Sequence, residues 1–122
     1  MKLKKFNFKI INSTNDQAFQ IIKRTNNKSG IVIAEKQKKG RGQYGKKWTS
    51  SKGNLFVSIF FEVNMVQLSL QNLTKINCLL VKKLLSNFYK DKITIKKPND
   101  LLINNMKISG ILQETLSKSG KT

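Results

Sequence analysis

The spacing of hydrophobic and polar residues changes several times along the chain, and each change marks an element. From Leu3 to Ile11, Leu, Phe and Ile alternate with Lys and Asn, the period of two expected of a half-buried strand. The run Ser13-Thr14-Asn15-Asp16 consists of residues whose side chains cap helix N-termini. Ala18, Ile21 and Ile22 then recur at helical spacing until Asn26-Asn27. Ile31 to Ala34, after Gly30, is short and continuously apolar, which predicts a buried strand. Leu55 to Val63, rich in Phe, Val and Ile, predicts a second. Leu68 to Tyr89 carries Leu70, Leu73, Ile76, Leu79, Leu80, Leu84 and Leu85 at steps of three and four, a long amphipathic helix. Ile93 to Ile95 is a short strand that Pro98-Asn99-Asp100 breaks. Leu101 to Ile103 and Lys107 to Leu116 form a hairpin turning at Asn104-Asn105. The order strand, helix, strand, strand, helix, hairpin predicts an α+β fold with a mixed β-sheet flanked by helices.

Between the two apolar strands lies a polar stretch, Glu35 to Gly53, with Gly40, Gly42, Gly45 and Gly53. A loop of this length inside a small domain is uncommon unless it serves function. Gly40-Arg41-Gly42-Gln43-Tyr44-Gly45 matches the dinucleotide fingerprint, and Gly40 with Gly45-Lys46 nearly matches a phosphate loop. Both motifs need a helix to open directly after the glycines, because the helix N-terminus holds the phosphate. The residues after Gly45 show no apolar periodicity and lead into a strand, and Lys47 occupies the phosphate loop's hydroxyl position. The C-terminal Gly120-Lys121-Thr122 lacks the earlier glycine, since position 115 is Thr. What remains is a glycine-rich loop whose backbone N–H groups can converge on an anion, beside an arginine that offers a planar fork to a phosphate or carboxylate. A plain flexible hairpin loop is the alternative.

Composition narrows the partners. The net charge is +18, yet of 24 basic residues only Arg24 and Arg41 are arginine. The lysines are scattered and do not interleave with aromatic residues as a stacking platform for nucleic acid would. Compositional bias with a weak general pull on anions accounts for this charge, and no specific nucleic-acid partner is expected. No apolar run approaches the ~18–20 residues of a membrane span. The first eleven residues alternate and carry no apolar signal core, and the single Cys78 has no disulfide partner within the chain; both point to a cytoplasmic protein.

The stretch Ala34-Glu35-Lys36-Gln37-Lys38-Lys39-Gly40-Arg41-Gly42-Gln43-Tyr44-Gly45-Lys46-Lys47-Trp48 resembles the signature loop of biotin–protein ligases, AExQxxGRGRxGRxW. Gly53-Asn54-Leu55-Phe56-Val57-Ser58 resembles that family's GxNLxxS strand, and Ser13-Thr14-Asn15 its upstream STN. Lys96-Lys97-Pro98-Asn99-Asp100 resembles KWPND, and Lys107-Ile108-Ser109-Gly110-Ile111-Leu112 the K-[LI]-x-G-I-L that follows. One such block would be weak; the whole set, in order and at the family's spacing over residues 13 to 112, is specific. Lipoate ligases share the fold without the GRG loop. The resemblance implies the biotin–lipoate ligase catalytic fold, which is like that of class II aminoacyl-tRNA synthetases. It makes residues 1–122 a partial catalytic domain, C-terminally incomplete, with neither an N-terminal helix-turn-helix nor a C-terminal barrel.

It also implies roles. Ser13, Thr14, Asn15 and Gln37 have the donors and acceptors to bind the ureido head of biotin; capping the following helix is the plain alternative for the first three. Gly40, Arg41, Gly42 and Gln43 belong to the biotin loop, Arg41 and the glycine backbones holding the biotin carboxylate and the phosphate of biotinyl-AMP. Lys107 reaches the same anions. Lys46, Trp48 and Asn99 join Arg41 and Lys107 on the nucleotide side, Trp48 packing on the adenine. Asp100 orients Mg²⁺ or the incoming amine. Arg41, Lys107 and Asp100 are thus the catalytic candidates. The substrates implied are ATP, with Mg²⁺, and biotin. The partner implied is a biotin carboxyl carrier protein, and a homodimer is among the assemblies allowed. Two residues depart from the family: Gln43 stands where a second arginine helps to retain the adenylate, and Lys97 replaces the Trp of KWPND. Other classes remain open: an accessory biotin-binding fragment without catalysis, and a lysine-rich nucleic-acid-binding module.

Overall fold

The computed structural model describes residues 2–63 and 69–117. They fall into two compact units, residues 2–63 with 115–117, and residues 69–114.

In the first unit, β1 (Lys5–Ile11) leads into α1 (Thr14–Arg24), which returns the chain to β2 (Gly30–Gln37). β1 and β2 pair in parallel, Phe6 opposite Val32, and β5 (Phe56–Phe60) adds antiparallel to β2, Val32 opposite Ser58. The sheet is therefore mixed, in the order β1-β2-β5. A parallel pair needs a crossover, and α1 supplies it. Its apolar stripe, Ala18 and Ile21, packs on Val32 and Phe60, with Phe6, Phe8, Ile11 and Ile22 around them. Phe60 lies across Gly30, where a Cβ would meet its ring at 2.6 Å, so glycine is what lets the ring close the core there. β2 and β5 differ from the fully buried strands expected of them. β2 and β5 alternate, with Val32, Ala34, Phe56, Ser58 and Phe60 buried, and Val57, Ile59 and Leu55 exposed. A continuous apolar run does not distinguish one buried face from two; among the described residues of this unit, the filled face is the one toward α1.

The polar stretch after β2 is not structureless. β2 runs on to Gln37, and β3 (Gly40–Arg41) pairs antiparallel with β4 (Lys47–Trp48), Gly40 opposite Trp48 and Arg41 opposite Lys47. The ribbon turns at Tyr44 and Gly45, whose φ values are 57° and 72°, and the Lys46 N–H donates to the Gln43 carbonyl at 3.2 Å. Two successive left-handed residues make the mirror-image turn whose twist suits a ribbon. No helix opens after these glycines, which agrees with setting aside both classical nucleotide motifs.

In the second unit, α2 spans Leu70–Leu85 and is capped by Ser69, whose hydroxyl accepts from the Asn72 N–H. It ends four residues short of the expected Tyr89, and Leu68 lies outside the described residues. β6 (Ile93–Lys96), β7 (Asp100–Ile103) and β8 (Met106–Gly110) form an antiparallel meander. The predicted turn at Asn104-Asn105 is present, with φ values of 50° and 62°. The second hairpin strand is shorter than Lys107 to Leu116, since pairing stops at Gly110. Ile93, Leu101 and Cys78 are fully buried and anchor this unit. No helix among the described residues is long and apolar enough to cross a membrane.

Candidate functional site

The N-terminus of α1 gathers the polar residues of the first unit. Ser13 and Thr14 are 3% and 5% exposed, too buried for residues that only cap a surface helix. Ser13 does cap: its hydroxyl accepts from the Asp16 N–H at 3.2 Å. Thr14 turns instead toward the sheet. Its backbone N–H and its hydroxyl both donate to Gln37 Oε1, at 2.8 Å and 3.2 Å. Ser13 thus holds the helix start, and Thr14 joins Gln37, twenty-three positions away.

A further residue belongs to this set. Ser58 sits mid-strand in β5, 8% exposed, and its hydroxyl donates to Thr14 Oγ1 at 2.7 Å and also contacts Asn15 Oδ1. The sequence reading named Ser58 as part of a motif but gave it no role. The signal was available: in the inward series Phe56, Ser58, Phe60 it is the one hydroxyl among rings, and a buried polar group requires partners.

Arg41 is carried by the ribbon to the same helix end. Its Nη2 lies 2.6 Å from Asp16 Oδ1, with the two side chains 31% and 45% exposed. Asp16 in the first turn is also favoured by the helix dipole, so the guanidinium is held against an acceptor that the fold keeps in place. Gly40 lies close against Gln37 and Trp48: a Cβ on it would come 2.9 Å from Gln37 Nε2 and 2.8 Å from the Trp48 carbonyl oxygen. Gly42 donates its N–H to the Lys46 carbonyl at 2.7 Å, which closes the ribbon. Trp48 and Gln43 are half-buried and Lys46 is exposed at the turn. A depression of about 430 Å³ lies beside this set, bordered by Ile11, Asn12, Ser13, Asp16 and Lys38.

The remaining candidates lie in the second unit. Lys107 Nζ and Asp100 Oδ1 are 3.0 Å apart, an ion pair between adjacent strands with side chains 40% and 22% exposed. Asn99 has structural duties: its amide nitrogen donates to the Ile111 carbonyl at 2.8 Å, and its own carbonyl accepts from the Ile111 N–H at 3.0 Å. Beneath them the Cys78 thiol lies 3.7 Å from the Pro98 carbonyl, and burial, then the charge of Asp100, pushes its pKa up. Among the described residues, no three His, Cys, Asp or Glu cluster as a metal cage.

The chain is 35% identical over 113 residues to the bifunctional ligase/repressor BirA of Escherichia coli (strain K12), which covers 91% of this chain and 35% of that protein. The structure superposes on biotin protein ligase from Aquifex aeolicus, solved with biotin and ATP, with a TM-score of 0.78 and 28% identity over 97% of this chain and 48% of that one. The biotin protein ligase of Leishmania major, solved with biotinyl-5-AMP, gives 0.76 and 26% over 99% of this chain and 55% of that one. The chain therefore spans about a third of its curated relative and about half of these solved chains. The expected α+β fold with a mixed sheet is the fold of these ligases. Residues 7–122 match the biotin/lipoate A/B protein ligase family, and the chain belongs to it, its relatives there being biotin–protein ligases.

Proposed function

We propose that this chain carries the biotin-activating part of a biotin–protein ligase, which joins biotin to ATP as biotinyl-AMP and passes it to a lysine of a carrier protein. The observation that supports this most is the hydrogen-bonded set of buried Thr14 and Ser58 with half-buried Gln37, at the helix end where Asp16 holds Arg41. A neutral, directional set of hydrogen-bonding groups beside a guanidinium suits a ligand with a urea head and a carboxylate tail. Biotin is such a ligand.

In this reading the carboxylate attacks the α-phosphate of ATP and pyrophosphate leaves. Both reactants are anions, so the chief barrier is their repulsion. A preorganised guanidinium lowers it without reorganising during the reaction. Arg41 has this role for biotin, and Gly40 and Gly42 carry the backbone past the anion. Gln43, Lys46 and Trp48 follow on the same ribbon, with Lys46 and Trp48 assigned to the nucleotide. Asn99 and Lys107 are assigned to the nucleotide by the family motifs alone. Mg²⁺ would arrive with ATP, with Asp100 as the residue to orient it.

In the second half a lysine amine of a biotin carboxyl carrier protein attacks the mixed anhydride, and AMP leaves. The amine must lose a proton, and with no histidine in the chain Asp100 is the candidate acceptor. It lies 3.0 Å from Lys107 Nζ, so both groups would face the same reacting centre. Transfer from preformed biotinyl-AMP should fall in Asp100→Asn, and undiminished transfer removes Asp100 from the role.

Calorimetric titration of the 122-residue chain with biotin, then with biotin, ATP and Mg²⁺, tests the whole reading. Binding heat with pyrophosphate release supports activation by this chain. Biotin binding without pyrophosphate supports the accessory reading instead. Binding of nucleic acid that falls steeply with salt, without response to biotin, supports the basic-module reading and refutes this one.

A further inference from the structure

We propose that Ser58 is a positioning residue for the biotin site, orienting Gln37 through Thr14; the inference rests on the biotin reading above. Oxygen and nitrogen of a glutamine amide are hard to distinguish by shape, so orientation has to come from partners. Here the chemistry decides it. The Thr14 backbone nitrogen can only donate, so the Gln37 atom 2.8 Å from it must be the oxygen. The Thr14 hydroxyl donates its one proton to the same oxygen. Ser58 stands behind it, its single hydroxyl proton shared between Thr14 Oγ1 at 2.7 Å and Asn15 Oδ1, so it braces the turn that carries both Thr14 donors. The chain of contacts runs from the Ser58 hydroxyl to the Thr14 hydroxyl to Gln37 Oε1. It leaves the Gln37 amide nitrogen on the side of Gly40, where a Cβ would lie 2.9 Å from it. The glutamine therefore presents donors, not an acceptor, toward the ribbon that carries Arg41. A ligand carbonyl, such as that of a urea, is the complementary group.

The setting of Ser58 supports a positioning role over a packing one. It occupies an inward position between Phe56 and Phe60, where alanine or valine would pack without desolvating a hydroxyl. Its contacts reach residues 43 and 44 positions away, and both of them lie in the turn opening α1.

The test uses Ser58→Ala, with Ser58→Thr as the variant that restores the hydroxyl, in the 122-residue chain. Losing one buried donor should weaken biotin binding by about tenfold. Affinity for ATP should stay within about twofold of the parent. Ser58→Thr should recover most of the biotin affinity. A purely structural serine would instead lower the melting temperature and shift both substrates alike. Hydrogen exchange at the Thr14 N–H gives a readout independent of ligand: Ser58→Ala should speed it about tenfold and Ser58→Thr should restore it. Faster exchange in a chain that does not bind biotin refutes the biotin reading and leaves the positioning role standing. Unchanged Thr14 exchange, or unchanged biotin affinity in a chain that binds it, overturns the proposal.

Discussion

Gly40→Ala separates shape from charge in the candidate site. Gly40 is not in the left-handed region, so alanine is allowed there by backbone conformation and the only objection is space. The added methyl would stand 2.8 Å from the Trp48 carbonyl oxygen, 2.9 Å from Gln37 Nε2 and 3.3 Å from Trp48 Cβ. Two of these atoms belong to the paired strand or to its first side-chain carbon, so a rotamer change of one side chain cannot relieve the clash. Either β3 and β4 separate or Gln37 moves. Overpacking of this kind costs about 1–3 kcal/mol. The ribbon is only two residue pairs long and lies outside the core cluster, so most of that cost should appear in ligand binding and little in global stability. The corresponding loss is about fivefold to 150-fold in the dissociation constant for biotin. Gly42→Ala is the control, because its nearest neighbour would be Lys46 at 3.7 Å, ordinary contact, and its effect should be under about 0.5 kcal/mol. Calorimetry for affinity and thermal melting for stability read the two quantities apart. Equal losses in the two variants, or biotin affinity within twofold of the parent in Gly40→Ala, would refute the argument that this close approach shapes the site.

Arg41→Gln should raise the biotin KM at least about tenfold while changing stability by less than about 1 kcal/mol, because its pair with Asp16 is partly exposed; steady-state kinetics and urea titration check the two parts. Leu101→Ala should destabilise the protein by about 2–5 kcal/mol in chemical denaturation, since Leu101 is fully buried under the meander. Cys78 should resist alkylation in the native protein at neutral pH and react on denaturation, because burial, and secondarily Asp100, disfavours the thiolate. A thiol whose folded pKa is raised contributes its stability fully below its ordinary pKa, and the contribution is lost as pH rises through the folded value. Alkaline melts of wild type and Cys78→Ala should therefore converge only above the ordinary thiol range.

The elements carrying strong periodicity were legible in the chain: the alternation in β1, the stripe of α1 and the pair Asn104-Asn105, which accepts left-handed backbone more readily than most residues. What the pattern did not give was how many faces a strand buries. Ile31 to Ala34 is continuously apolar, yet Val32 and Ala34 point into the core while Ile31 and Ile33 do not, because α1 covers one face of the sheet only. The ribbon entered only as the alternative of a plain hairpin loop, without strands. Its strands are too short for any period to register, and its turn places the ring-bearing Tyr44 at φ 57°, which no residue preference would suggest.

The candidate site was legible as a set of residues and much less as a set of bonds. Motifs brought Thr14, Gln37 and Arg41 together on paper, but each alone admits a plain role: a cap, a surface amide, a loop cation. The physical distinction lies in burial and partnership. Thr14 is buried and spends its donors on Gln37, whereas Ser13, its neighbour, spends its acceptor on the helix. Asp16 and Ser58, the two residues that hold Arg41 and Thr14 in place, received no role from the motifs. A motif records which groups meet a ligand; the groups that orient them are set by the sheet register and the helix start, and these become visible only once β5 lies opposite β2 and α1 opens beside them. By the same reasoning Asn99, whose motif places it at the nucleotide, must first be weighed against the strand it ties to Ile111. Asn99→Ala would remove both functions at once, so loss of activity in that variant alone would not assign Asn99 to the nucleotide.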